Sequence, residues 1–327
     1  MLTFRPFNFS DQDYATALSL HNAVWIDNPQ DERDWRREDS IRPKTRYHKR
    51  IIAEIAGNPV GYGGFSEKWY FEKPNYYGLS WLTSAEYRKQ GICTAFYKYA
   101  LAQMQADGCT IGTLRSGTHE NQPAGLRWLT KHGFTQIDRY PISELKLADF
   151  AANQFADYAA RIAAHGLTIK PLAEIIPHDP NWQRKLYDLE WIFEQDEPNS
   201  NAPKQTPFEQ HVKETFDDDD FSPQMWFIAL DGDRYAGMSC LWPNKAKPHE
   251  LATGWTGVDR PYRKKGLAMA MKLAAIAYAQ QQPAITHIET DNHETNWMYQ
   301  INLHLGFTPK PAWRVYDKVL AEAESRI

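Results

Sequence analysis

Four short patterns occur twice in this chain, in the same order and at nearly the same separation. Leu2-Thr3-Phe4-Arg5-Pro6-Phe7 returns as Leu167-Thr168-Ile169-Lys170-Pro171-Leu172, each an alternating run that ends in a cation and a proline. Tyr87-Arg88-Lys89-Gln90-Gly91 returns 175 residues later as Tyr262-Arg263-Lys264-Lys265-Gly266. His132-Gly133-Phe134 and Leu305-Gly306-Phe307 stand 173 apart, and Asn121 and Asn296 again 175. One period of this length is far too long for a stacked repeat and implies two copies of one domain. The 327 residues suit two domains, at roughly 100–200 residues each. The expected division is 1–146, a connecting helix at 147–166, and 167–327.

Within each copy the periodicity predicts the same order of elements. In the second, a strand at 167–171 leads to a helix at 181–194, with Leu186, Leu189, Ile192 and Phe193 on one stripe. A helix at 208–216 follows. Strands at 226–230 and 235–242 flank the turn Asp231-Gly232-Asp233 and read as a hairpin. Then come a strand at 250–258, a long helix at 267–280, a strand at 286–290, a helix at 296–305 and a strand at 313–318. The first copy matches it with a hairpin around Gly57-Asn58-Pro59, a strand at 78–83, a helix at 92–105, a strand at 110–116 and a helix at 124–132. Alternating strands and helices predict an α/β protein.

Composition narrows the function classes. Lys and Arg number 37 against 41 acids, for a formal charge of −4, and no basic stripe runs along the chain. That argues against a nucleic-acid partner. No run of 18 apolar residues predicts a membrane span. Cys93, Cys109 and Cys240 lack metal-ligand spacing, so no metal is expected, and they suggest a reducing compartment. The first residues lack the layout of a secretory signal, and the expected location is cytoplasmic. Asp217-Asp218-Asp219-Asp220 reads as a solvated loop without the spacing of a calcium site.

The segment with the most chemistry is Arg263-Lys264-Lys265-Gly266-Leu267-Ala268, between a strand and a long helix. A helix N-terminus leaves amide N–H groups unpaired and carries partial positive charge. Gly266 lets an anion approach the backbone, Ala268 leaves the first turn unshielded, and the cations add charge. A phosphate or pyrophosphate is the expected guest. Downstream follow Thr290-Asp291-Asn292, Asn296 and Leu305-Gly306-Phe307. Together these residues resemble the GNAT acyltransferase superfamily, whose Arg/Gln-x-x-Gly-x-Gly/Ala turn binds the pyrophosphate of acetyl-coenzyme A. With the duplication, the chain resembles a tandem GNAT protein, similar in layout to mycothiol synthase and related two-domain acetyltransferases.

The resemblance implies two tandem acyl-CoA N-acyltransferase domains, each a mixed central sheet flanked by helices. It implies that Thr256, Gly257 and Val258 pair with the pantetheine arm of acetyl-CoA, that Arg263, Lys264, Lys265, Gly266, Leu267 and Ala268 hold the pyrophosphate, and that Asn296 contacts the pantetheine side. A second cofactor site in the first copy would comprise Leu82, Thr83, Arg88, Gln90, Gly91, Cys93 and Thr94. There Cys93 replaces the family's small residue, so the first copy is expected to be degenerate or structural and the second catalytic.

The implied reaction is direct attack of an amine on the thioester. Where many family members carry a tyrosine as proton source, this chain has Leu129 and Asn302, so Tyr299 is the substitute. Glu250 is the candidate base, with Glu289 as alternative. Trp191, Glu194, Asp196 and Glu197 would suit a small cationic amine through charge pairing and ring-face attraction. The chain would then work as a monomeric pseudo-dimer or as a homodimer. A non-catalytic acyl-CoA sensor on the same fold is the rival reading.

Overall fold

The computed structural model describes residues 1–320, which divide into two compact units. The first comprises Met1–Asp138 with the described chain from Arg314 on, and the second comprises Arg139–Trp313.

The first unit runs through β1 (Leu2–Pro6), α1 (Asp11–Val24), α2 (Glu32–Ile41), β2 (His48–Ile55), β3 (Asn58–Glu67), β4 (Tyr76–Thr83), α3 (Ile92–Ala106), β5 (Thr113–His119) and α4 (Pro123–Lys131). Helix α1 begins where the Ser10 hydroxyl accepts the Asp13 N–H at 3.2 Å, with Asp11 and Asp13 in the first turn, both favourable at the positive end of a helix. The β2–β3 hairpin turns through Ala56 and Gly57, both at positive φ, the two-residue geometry that matches strand twist. Strands β1 to β4 are antiparallel, and β5 lies parallel to β4. Phe65, Phe96, Met104 and Leu114 form the core with Tyr316 and Leu320 from the far end of the chain.

The second unit contains the end of β6 (Thr135–Lys146), then α5 (Tyr158–Ala163), β7 (Thr168–Pro171), α6 (Leu172–Ile175), α7 (Trp182–Asp196), α8 (Phe208–His211), β8 (Trp226–Asp231), β9 (Arg234–Pro243), β10 (Glu250–Val258), α9 (Leu267–Gln280), β11 (His287–Asp291), α10 (Trp297–His304) and the start of β12 (Thr308–Val319). Its strands run in the order β6-β11-β10-β9-β8-β7. Only the β10–β11 pair is parallel among the registers of these strands. Both units are therefore mixed sheets flanked by helices, as the family resemblance implies.

Three expectations need correcting. The connecting segment is not one helix: 147–149 and 152–155 are short 3-10 turns, and only α5 is α-helical. Its aromatics explain why it is ordered, since Phe155 and Ile162 are buried in the second unit. The helix expected at 208–216 changes from α8 into a π-helical turn at Val212–Phe216. Finally, each compact unit includes a strand segment from the other sequence repeat. Leu145 of the first repeat packs in the second unit's core, while Tyr316 of the second repeat packs in the first. Repeat boundaries and compact units thus differ at both closing strands.

Candidate functional site

In the second unit, β10 is paired on both edges only at its start. It lies parallel to β11 over Glu250–Ala252, and beyond that only the β9 edge stays paired. The β9–β10 register shifts between Thr253 and Thr256. Such a bulge bends a strand and re-aims its backbone groups. Gly254 makes the close approach possible, because a Cβ there would lie 2.7 Å from both the Cys240 sulfur and the Trp242 indole nitrogen. Thr256, Gly257 and Val258 pair with Ser239, Met238 and Gly237 on β9, leaving their other edge turned to the opened side.

After β10 the chain enters the basic turn. Lys264 and Gly266 both take positive φ, 64° and 89°, and Gly266 is the N-cap of α9 without a side-chain hydrogen bond. Arg263 Nε donates to the Val258 carbonyl at 2.9 Å, and its guanidinium also pairs with Asp196. Asp196 in addition takes Arg260 at 2.8 Å. The arginine expected on the pyrophosphate and the aspartate expected on the amine therefore hold each other and brace the loop. Lys265 lies 5.1 Å from the Tyr262 ring centroid. Around Gly266 a Cβ would sit 3.3 Å from Tyr158 and 3.4 Å from Arg161 of α5, so the connecting segment walls one side of the turn.

The opened strands border a cavity of about 430 Å³. Thr253, Gly254, Trp255 and Thr256 line it, with Asp291, Asn296 and Met298 on the β11–α10 side. Glu190 and Glu197 of the α7 segment also line it, as do Trp226 and Lys272. Among the described residues, two of its buried polar atoms have no partner, Glu190 Oε1 and Trp226 Nε1. The other Glu190 oxygen lies 3.6 Å from His211 Nε2. Burial pushes Glu190 up to about 8, with the Glu194 charge adding to it. It pushes Glu194 up to about 7, and Glu197 up to about 7 with help from Asp291 and Glu194. Burial holds His211 down at about 4, so near neutral pH the proton of the Glu190–His211 pair resides on the carboxyl.

The remaining expected residues fall into two groups. Asn296 lines the cavity, although its side-chain oxygen caps α10 by accepting the Met298 N–H at 2.9 Å. Tyr299, Glu250, Glu289 and Trp191 are not among the lining residues. Glu250 is buried and held by Asn244 at 3.0 Å and Lys247 at 3.2 Å. Glu289 shares Lys310 with Glu144, at 2.7 and 2.9 Å, and the three carboxylates form one cluster. Both carboxylates are thus engaged by partners away from the cavity, which neither of them lines. Asn302, at the position of the missing tyrosine, is fully buried and donates to Asn292 at 2.6 Å.

Sequence reasoning missed Glu190, Lys272 and the bulge. Glu190 was detectable: it, Glu194 and Glu197 stand at i, i+4 and i+7, one face of a helix. Lys272 is the sole charged residue of α9.

The first unit repeats the turn but not the bulge. Lys89 and Gly91 take positive φ, 65° and 79°, and Arg88 Nε donates to the Thr83 carbonyl at 3.2 Å, the counterpart of Arg263 on Val258. Its Gln90 side chain donates to the Glu86 carbonyl at 3.4 Å. Strand β4 pairs with β3 in unbroken register through Leu82 and Thr83. Trp81 donates to Thr83 Oγ1 and stacks on Phe96 at 4.0 Å. Thr94 accepts from the Trp128 indole at 3.1 Å. Burial pushes the Cys93 thiol up to about 12, which leaves it without the thiolate a nucleophile needs.

The model of the acetyltransferase (GNAT) family matches residues 14–134 and 184–307. No curated protein matches the chain. Among solved structures, a tandem GNAT protein from the clavulanic acid biosynthesis pathway aligns with a TM-score of 0.75 at 17% identity, over 98% of both chains. A GCN5-related N-acetyltransferase from Sphaerobacter thermophilus aligns with a TM-score of 0.70 at 14% identity, over 97% of this chain and 95% of that one. At these identities the likeness is one of fold. Among the described residues no helix is long and apolar enough to cross a membrane.

Proposed function

This chain belongs to the acetyltransferase (GNAT) family, acetyl-CoA-dependent N-acetyltransferases, and on that premise we propose that its second unit acetylates a small cationic amine by direct attack. The observation that carries the reading is the bulged, half-unpaired β10, which leads into a turn with two left-handed residues and borders a cavity holding a buried carboxyl with one oxygen unpartnered. The unpaired amides from Lys264 to Ala268 suit a diphosphate, with Lys264 and Lys265 adding charge. The open edge of Thr256, Gly257 and Val258 suits the amide groups of a pantetheine arm, and Asn296 faces the same space. Acetyl-CoA supplies the thioester carbonyl that the amine attacks.

The protein's own task is to hold the amine and take its proton. Glu190, Glu197 and Asp291 surround the space from two sides. An ammonium ion entering it would favour the ionised carboxylates and lower their proton affinity. A base poised near neutral pH then accepts the proton, leaving a nucleophilic amine. Glu190 meets both requirements, whereas the rival Glu250 does not line the cavity. The first unit, with an unbent β4 and a tryptophan packed against it, we assign a structural role.

The test is thiol release by the full-length chain from acetyl-CoA, across aliphatic amines, amino acids and amino sugars. Release with a subset of cationic amines supports the reading. Binding of acetyl-CoA without release from any amine would favour the sensor.

A further inference from the structure

One buried charge in the cavity has no use in the scheme above. Lys272 is 4% exposed, and among the described residues it makes no hydrogen bond or ion pair. It stands on α9 and lines both the main cavity and a small recess behind it, bounded by Ser239, Leu241, Thr253 and Phe307. Its ammonium lies 5.8 Å from the Phe307 ring centroid, a weak attraction at that range. Burial holds its proton affinity down at about 8.

A largely buried cation without a paired acid is costly, and such charges cluster at sites that bind ligands. Among the described residues, the only other polar side chains bounding the recess are the hydroxyls of Ser239 and Thr253. Ser239 Oγ already pairs with Thr256 Oγ1 at 2.9 Å, so a hydroxyl partner does not supply the missing charge. We propose that Lys272 is the binding site for a carboxylate carried by one of the two reactants. A single anionic charge fits better than a phosphate, because the carboxylates of Glu197 and Asp291 line the same cavity and would repel a dianion more strongly. Thr253 borders both cavity and recess at the start of the bulge, so a carboxylate there lies next to the reacting end of the site. The carboxylate is either at the far end of the transferred acyl group or on the amine substrate. The inference deepens the acetyltransferase reading of this site and rests on it.

Calorimetry on the full-length chain separates the two sources. In one arm succinyl-CoA is titrated against acetyl-CoA; in the other, with CoA present, amino acids are titrated against their amides. The expected result is a preference of about tenfold or more for the carboxylated ligand in one arm, since a buried charged pair is strongly favoured over a lone buried charge. Lys272→Met, which replaces a buried amine by an apolar chain of similar shape, should abolish that preference. The melting temperature of the variant shows that it folds, and the wild-type comparison needs no variant. Equal binding in both arms, or a preference that survives in folded Lys272→Met, overturns the proposal. Failure of the wild type to bind either thioester overturns the acyl-CoA reading itself, and the carboxylate site with it.

Discussion

Glu190 concentrates the chemistry at the residue scale. It is buried, half-unpartnered and protonated near neutral pH. An unfolded glutamate titrates at roughly 4.3, so between about pH 4 and pH 8 the folded chain keeps a proton that the unfolded chain has lost. Folded stability therefore falls as pH rises through that window and is fully present below it. Glu190→Gln removes that residue's share of the dependence: its melting temperature should exceed that of the wild type at about pH 8 and match it at about pH 4. Equal melting temperatures at both would contradict the assignment. The same variant should lose about 100-fold in kcat/KM for the amine, with acetyl-CoA affinity unchanged. A cationic amine binding to the wild type at pH 7 should release a proton, which calorimetry in buffers of different ionisation enthalpy would detect.

At the scale of elements, the bulge and the turn are the parts to perturb. Gly254→Val forces a branched side chain against Cys240 and Trp242 and should cost about 1–3 kcal/mol by overpacking, along with acetyl-CoA binding. Gly91 and Gly266 provide a matched pair, at φ 79° and 89°. Either glycine changed to alanine costs about 1 kcal/mol of backbone strain. Only Gly266→Ala should weaken CoA binding, because only that turn adjoins a bulged strand. Equal losses of CoA affinity would contradict the division of labour. Much of this scale was legible in the sequence. The bounds of β10 and α9 follow from hydrophobic runs bracketed by turn residues, and the paired turns follow from the repeat. The bulge was not legible, because a register shift is a relation between two strands and Gly254 alone only hints at it. The fate of Asp196 was hidden for a similar reason, since Arg260 and Arg263 reach it across 64 and 67 residues.

For the whole molecule, duplication predicts two domains, whereas the compact units place their closing strands otherwise. Asp317, late in the second repeat, accepts from Tyr76 at 2.8 Å and pairs with Lys73 and Arg115 at 3.2 and 3.3 Å, all in the first unit. A chain cut at the repeat boundary, 1–166 and 167–327, deprives the first unit of Asp317, Tyr316 and Leu320, and the second of Leu145. Neither half alone should show a cooperative melt, while the two co-expressed should. Two independent, cooperative melts would contradict this account of the units. Strand order along a chain does not name a strand's neighbour, which is why the sequence repeat could not reveal it.

The central claim is that the second unit's bulged strand and basic turn hold the acyl donor beside the acidic cavity. A crystal structure of the full chain with acetyl-CoA tests it most directly. The account predicts the diphosphate on the amides between Lys264 and Ala268, with the thioester along Thr253 to Thr256. Acetyl-CoA bound at the Arg88–Thr94 turn while the second unit stays empty would contradict it.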